Sequence, residues 1–137
     1  MFVGQRVGET LLARWEHLDL DSGLWRIPAE NSKNGKAHLV HLPPQAIALL
    51  QSLQPLSDGQ GYVLPSDRDQ GKPVTVRAVS EALLRVFERG LLSMEPFTPH
   101  DLRRTVVTHM AGLGIAPHVV EKIVNHSMSG VFERKSA

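Results

Sequence analysis

The chain has 137 residues, of which 42% are hydrophobic and 21% charged, which fits one globular domain and excludes a wholly disordered or collagen-like chain. It contains no cysteine, so disulfides and thiolate metal sites are excluded. The formal net charge of +1 excludes a strongly basic protein of the kind that composition alone would identify as a nucleic-acid binder. No apolar run approaches the roughly 20 residues of a membrane span, so we expect a soluble, intracellular protein without a membrane partner.

The first part of the chain predicts a helix followed by a hairpin. Residues 8–18 form the predicted helix, because apolar side chains repeat at spacings of three and four residues: Leu11, Leu12, Trp15 and Leu18. An Asp-Ser-Gly turn then opens a short strand at 24–27. Asn34-Gly35, a strong two-residue hairpin signal, precedes a second strand at 37–42. We therefore expect an antiparallel hairpin with Lys33 beside its tip.

The rest of the chain predicts four helices and a third short strand. A proline pair begins a helix at residues 43–55, and "YVLP" at 62–65 is the candidate third strand. Apolar residues repeat at helical spacing over 76–90, and two further helices are expected at 99–113 and 117–125. The predicted fold is α+β and mostly helical, with one small antiparallel sheet.

The stretch "TPHDLRRTVVTH" concentrates polar groups at the start of a predicted helix. Thr98 and Pro99 are favoured residue types for the N-cap and the first helical position. His100 and Arg103 then lie on one face at a helix N-terminus, whose partial positive charge favours an anion such as a phosphate. We interpret Asp101 as an acid that complements the helix dipole. The same helix carries an apolar stripe that we expect to be buried: Leu102, Val106, Val107, Met110 and Leu113.

Three segments of the chain, in their order, resemble one protein family. They read "GQRVGETLLARWEHLDLDSGLWRIPAENSKNGKAHLVHLP", "FTPHDLRRTVVTHMAGLGI" and "VEKIVNHSMSGV". Together they resemble the catalytic domain of the tyrosine recombinases, in particular the phage-type integrases. Single motifs of this kind are weak, but the ordered set covers almost the whole chain and is specific. The resemblance implies the DNA breaking-rejoining fold, which is helical with a small three-stranded antiparallel sheet.

The resemblance also implies a catalytic set whose members act on one DNA phosphate: Arg6, Lys33, His100, Arg103 and His126. Attack on a phosphodiester places extra negative charge on its non-bridging oxygens, which guanidinium groups stabilise through charge-assisted hydrogen bonds. Arg6 and Arg103 fit that role. Lys33 would protonate the leaving 5′-oxygen, His100 would be the base for an attacking phenol, and His126 would donate a further hydrogen bond. No metal and no other cofactor is expected.

Some of these assignments have alternatives. Lys36 lies on the other side of the same turn as Lys33, and hairpin tips are often lysine-rich for solubility. We favour Lys33 from its place in "SKNG". Arg6, taken alone, could be a surface arginine at a helix entry. Arg104 is expected to face away from Arg103, where it could contact DNA backbone phosphates or only water.

The sequence departs from the family where the nucleophile is expected. The family's tyrosine lies nine residues after the last histidine, and here that position is Lys135. Tyr62, the single tyrosine of the chain, stands in the wrong place in the motif order. We therefore expect this chain to bind DNA without cleaving it.

The chain also begins at the first arginine motif. We expect residues 1–137 to be one partial catalytic domain without the family's N-terminal core-binding domain, as in a fragment or a decayed prophage relic. Loss of a leading helix would expose apolar surface beside residues 8–18, so we expect self-association there.

These observations favour DNA integration or site-specific recombination in a phage or prophage setting. The expected partners are double-stranded DNA, a second copy of this chain, and full-length recombinase protomers that could donate a tyrosine in trans. The expected location is the bacterial cytoplasm, at the nucleoid. The alternatives are a non-catalytic DNA-binding or assembly module and a relic without activity.

Overall fold

The computed structural model describes residues 3–126 and shows a mostly helical chain with one small sheet. The strands are β1 (Leu18–Asp19), β2 (Leu24–Ile27) and β3 (His38–His41). The helices are α1 (Val7–Leu11), α2 (Pro44–Leu53), α3 (Val76–Glu88), α4 (Pro99–Gly112) and α5 (Pro117–Ile123). The predicted α+β fold with a three-stranded antiparallel sheet is confirmed. None of the helices within residues 3–126 is long and apolar enough to cross a membrane.

The third strand of the sheet is not the one that the sequence predicts. The strand order is β1-β2-β3, and β2 pairs with β3 from Leu24 opposite His41 to Ile27 opposite His38. The third strand is β1, which reaches β2 through a turn in which the Ser22 amide donates to a carboxylate oxygen of Asp19. Residues 62–65 form only isolated bridges. The strand predicted there is wrong, because its end is Pro65, which has no N–H for a ladder.

The helix predicted at residues 8–18 is much shorter in the structure. α1 ends at Leu11, and Arg14 already has extended backbone angles. The backbone then pairs with a distant loop, since the amide of Trp15 donates to the carbonyl of Gly61 and the amide of Val63 to the carbonyl of Ala13. These tertiary hydrogen bonds replace the helical ones, and no local periodicity could reveal them.

The predicted hairpin exists, but Asn34-Gly35 is not a two-residue turn between its strands. β2 and β3 are joined by residues 28–37, which include a short 3₁₀ helix at Ala29–Asn31. Gly35 does take a positive φ of 70°, which suits a tight bend. The segment 28–37, called the hairpin loop from here on, therefore has the length to reach away from the sheet.

The hydrophobic core lies between the sheet, the start of α2 and the strand-like residues around Val63. Its buried members are Ala13, Trp15, Trp25, Ile27, Val40, Leu42, Ala46 and Val63. Trp15 also finds a partner for its indole N–H, which donates to the hydroxyl of Ser57 at 2.7 Å. This core holds the sheet, so the hairpin loop projects from a rigid base.

In α4, Arg103 is more deeply buried than the residues of the apolar stripe. Arg103 is 4% exposed, whereas Leu113 is 69% exposed and the other stripe residues are only partly buried. The prediction of a buried stripe is wrong in that respect. Among the described residues, those that cover α4 belong mainly to α5 and to the segment at Gly4, where an added Cβ would lie 2.9 Å from Val106. The close approach of Gly4 brings the segment before α1 against α4.

Candidate active site

A single cavity of about 670 Å³ is lined by all the side chains that the sequence predicts to be catalytic. They come from the segment before α1, the hairpin loop, the first turns of α4 and the residue that follows α5: Arg6, Lys33, His100, Arg103 and His126. The rest of the lining includes Glu9, Glu30, Asn31 and Ser32. Three of the predicted side chains are cationic, so the cavity suits an anion.

Arg103 lies at the floor of this cavity. Its guanidinium donates to the carbonyl of Gly4 at 2.9 Å and to the carbonyl of Val124 at 2.8 Å. Burial lowers the pKa of Arg103, the positive charge of Arg6 lowers it further, and the carboxylates of Glu9 and Glu121 act in the opposite direction. A guanidinium has five N–H donors, so these two bonds leave N–H groups for an anion in the cavity.

Arg6 stands at the N-terminal end of α1, beside a buried carboxylate. Its guanidinium lies 3.7 Å from an oxygen of Glu9, which is 4% exposed. The same oxygen accepts a hydrogen bond from the backbone amide of Lys33 at 3.0 Å, while the other Glu9 oxygen has no protein partner. Glu9 therefore links the first arginine to the hairpin loop. The sequence analysis missed it, although an acid three residues after Arg6 was a visible signal.

The hairpin loop directs one of its two lysines into the cavity. Lys33 is part of the lining and Lys36 is not. The amide of Lys36 donates instead to the side-chain oxygen of Asn34, within the loop itself. The geometry therefore favours Lys33 over Lys36 as the cavity's lysine.

The N-terminus of α4 is capped and presents His100 to the cavity. Thr98 and Asp101 form a reciprocal capping box, in which the Thr98 amide donates to the Asp101 carboxylate at 2.8 Å. The hydrogen bond from that amide lowers the pKa of Asp101, and the one from the Thr98 hydroxyl lowers it further. Asp101 thus caps the helix directly, beyond the dipole effect that we expected. His100 is exposed and stands in the first turn, where helix N–H groups favour an anion.

His126 follows α5 and has a carboxylate partner. Its Nδ1 lies 2.7 Å from an oxygen of Glu121, one turn earlier. A carboxylate at Nδ1 fixes the orientation of an imidazole and leaves Nε2 to face a ligand.

Two residues that the sequence analysis considered, Arg104 and Tyr62, do not line this cavity. Arg104 lines a separate depression along α4, together with Asp101 and His109. Tyr62 lies under the guanidinium of Arg14, 4.5 Å from the ring centre, and does not contribute to the lining. Lys135 falls outside the described residues. Within residues 3–126, no group of three or more His, Asp or Glu side chains is placed to hold a metal ion.

Most of the chain is similar to known proteins. The model of the phage integrase family matches residues 2–133. Prophage integrase IntA of Escherichia coli is 32% identical over 121 residues, which are 88% of this chain and 28% of that protein. Tyrosine recombinase XerA of Thermococcus kodakarensis is 29% identical over 126 residues, which are 90% of this chain and 43% of that protein. The chain spans between 20% and 30% of the length of the first three curated relatives it matches.

Solved structures share the fold. The crystal structure of XerA recombinase superposes with a TM-score of 0.75 at 21% identity, over 92% of this chain and 46% of that one. The Tn1549 transposon integrase in complex with transposon right end DNA gives a TM-score of 0.70 at 15% identity, over 91% of this chain and 48% of that one.

We predict that Arg103→Lys lowers the free energy of unfolding by about 3 kcal/mol, because a lysine cannot replace both buried bonds to the carbonyls of Gly4 and Val124. Urea denaturation followed by circular dichroism measures this loss. Arg104→Lys is the matched control, since Arg104 is exposed on the same helix, and it should change stability by less than about 0.5 kcal/mol. Equal effects of the two substitutions would contradict the structural part assigned to Arg103.

Proposed function

The chain belongs to the phage integrase family, and from this premise we propose that it binds the backbone phosphates of double-stranded DNA as a tyrosine-recombinase catalytic domain. Residues 1–137 belong, in this proposal, to a single such domain. The observation that carries the proposal is the cavity in which Arg6, Lys33 and Arg103 meet two histidines from distant parts of the chain. The reaction is DNA integration or site-specific recombination.

The cavity supplies the charge that phosphodiester chemistry needs. In the proposed reaction another recombinase protomer donates the tyrosine, because position 135 of this chain is a lysine. Attack by that phenol on phosphorus forms a phosphotyrosine bond and breaks the bond to the 5′-oxygen. Arg6 and Arg103 stabilise the charge that develops on the non-bridging oxygens. His100 takes the phenolic proton, Lys33 gives a proton to the leaving oxygen, and His126 donates to the phosphate.

Arg103 is suited to this role by its burial. Its two bonds to backbone carbonyls fix the guanidinium before any ligand arrives, so little conformational entropy is lost on binding. Its charge also lies close to that of Arg6. A phosphate between the two arginines would relieve their repulsion, which strengthens binding of a dianionic transition state over a singly charged phosphodiester.

We predict that Arg6→Ala weakens binding to a short fluorescent DNA duplex roughly tenfold at low salt, because a charge-assisted contact to a phosphate is lost. Fluorescence anisotropy measures the affinity, which should also fall as salt rises. Arg14→Ala is the control, because Arg14 is a half-buried arginine that stacks on Tyr62 and pairs with Glu16 outside the cavity. Binding that is insensitive to Arg6→Ala would instead favour a non-catalytic DNA-binding or assembly module.

We also predict that the chain forms no covalent adduct with nicked duplex substrates, because Lys135 stands at the position of the family's tyrosine. Denaturing gel electrophoresis of the labelled DNA after incubation with the protein detects any adduct. An adduct that maps to a residue of this chain would refute the predicted inactivity.

A second proposal concerns contacts between copies of the chain. An apolar groove of about 250 Å³ opens beside α1 and α2, in the region where self-association is expected, and its lining includes Ala13, Leu18, Trp25, Leu42, Leu49, Leu50 and Leu53. Leu49 is 52% exposed there. Ala13, Trp25 and Leu42 are buried at the bottom of the groove, so a second copy would mainly cover Leu49 and the α2 surface around it. Exposed apolar side chains commonly mark an association site.

Sedimentation velocity should therefore show association that increases with protein concentration. Leu49→Lys should weaken that association, because it places a charge in the groove. Leu56→Lys is the control, since Leu56 is 61% exposed and lies outside the groove lining. A clean monomer at high concentration would exclude this surface as an interface.

A further inference from the structure

Three polar side chains form a closed ring of hydrogen bonds between the hairpin loop and the end of α5. The side-chain amide of Asn125 donates to the hydroxyl of Ser32 at 3.0 Å. That hydroxyl donates to the side-chain oxygen of Asn34 at 2.8 Å, and the Asn34 amide donates to the side-chain oxygen of Asn125 at 2.9 Å. Each member of the ring is both a donor and an acceptor, an arrangement in which hydrogen bonds strengthen one another.

The ring joins parts of the chain that are far apart in sequence. Asn125 lies 91 residues from Asn34 and 93 residues from Ser32. Lys33 stands between the two hairpin members of the ring, and His126 directly follows the third. The ring therefore connects the backbone that carries the cavity's lysine to the backbone that carries its last histidine.

The backbone of Asn125 also has an uncommon conformation. Its φ is 57°, in the left-handed region that glycine adopts readily and that asparagine tolerates better than most other residues. This conformation ends the α5 turn and redirects the chain into His126. The carbonyl of Asn125 faces Arg6, whose guanidinium donates to it at 3.5 Å. Glycine could supply the backbone angle, but only asparagine supplies the angle together with the donor and the acceptor of the ring.

Among residues 3–126, the hairpin loop has few other hydrogen bonds to the rest of the chain. The backbone amide of Lys33 donates to Glu9, and the His38 ring contacts the carbonyl of Ile123 at 3.1 Å, at the base of the loop. The ring is thus the main side-chain link between the tip of the loop and α5. Without it, two hydrogen bonds on the side of α1 would hold the loop, that of the Lys33 amide to Glu9 and that of the Asn31 side-chain amide to the carbonyl of Leu12 at 3.5 Å.

We propose that Asn125 is a positioning residue that latches the hairpin loop to α5, so that Lys33 and His126 face the same phosphate. The placement of Lys33 and His126 at one phosphate rests on the proposed function, but the latch itself is a property of the protein without DNA. It predicts that Lys33 loses its placement when the side chain of Asn125 is removed, even if the fold and the backbone at residue 125 are kept.

Asn125→Gly tests the latch, because it deletes the ring and keeps a residue suited to positive φ. Amide hydrogen exchange measured by NMR on the full chain should show the amides of Lys33 and Gly35 exchanging roughly tenfold faster. Asp58→Gly is the matched control, since Asp58 also has a positive φ, of 52°, in a different loop. Unchanged exchange at Lys33 and Gly35 in Asn125→Gly would overturn the latch.

Asn34→Asp removes the donor to Asn125 from the hairpin side, keeps an oxygen for Ser32 and for the Lys36 amide, and leaves the residues of α5 unchanged. It should accelerate exchange of the Lys33 amide to a similar extent. If Asn125→Gly does not fold, this second variant still tests the latch. If exchange of the Lys33 amide is not faster in any of these variants that folds, the proposal is wrong.

A double-mutant cycle tests whether Asn125 acts through Lys33. Asn125→Gly should weaken binding to the fluorescent duplex roughly three- to fivefold in the wild-type background and have little effect in Lys33→Ala, because interacting residues are non-additive. A role in stability alone would give the same loss in both backgrounds, and that result would overturn the positioning role.

The two proposals can fail separately. If the wild-type chain does not bind duplex DNA, the proposed function fails, whereas the exchange measurements contain no DNA and still decide the latch. If the chain binds DNA through Arg6 but exchange at Lys33 is indifferent to Asn125, the latch fails and the proposed function stands.

Discussion

The buried guanidinium of Arg103 is the interaction on which the candidate site depends. It joins the carbonyl of Gly4, before α1, to the carbonyl of Val124, at the end of α5. A buried charge is costly unless it is well hydrogen-bonded, and these two bonds offset that cost. Because the segments that carry Arg6 and His126 meet at this side chain, their relative placement depends on an arginine that also offers charge to the cavity.

Carboxylates and amides then organise the cationic wall around Arg103. Glu9 holds Arg6 and the Lys33 amide on one side of the cavity, while Asn125 holds the hairpin loop on the other. Burial and the neighbouring charge of Arg6 both lower the pKa of Arg103, and Glu9 and Glu121 oppose that effect. These contacts hold the guanidinium groups of Arg6 and Arg103 beside the cavity, where their positive charge suits an anion.

Local signals in the sequence were sufficient for much of the fold. The helices α2 to α5 follow from apolar spacing and from their caps, as at Thr98 and Pro99, because such signals act within one or two turns. Local signals failed where the backbone bonds to residues far away in the sequence. Hydrogen bonds from Trp15 to Gly61 and from Val63 to Ala13 replace helical bonds after α1, so α1 is shorter than predicted. The third strand of the sheet is β1, which the sequence analysis did not predict. Periodicity also predicted that the apolar stripe of α4 is buried, whereas the structure buries Arg103 more deeply than that stripe.

The sequence by itself determined the residue types of the site, their order along the chain and the family to which that order belongs. Only the tertiary structure decided that Lys33 rather than Lys36 lines the cavity, that Glu9 and Asn125 belong to the same network, and that Arg103 is buried. The physical reason is the range of the interactions. Caps and periodicity join residues a few positions apart, but the hydrogen bonds that bring the segments of this site together join residues 21 to 119 positions apart.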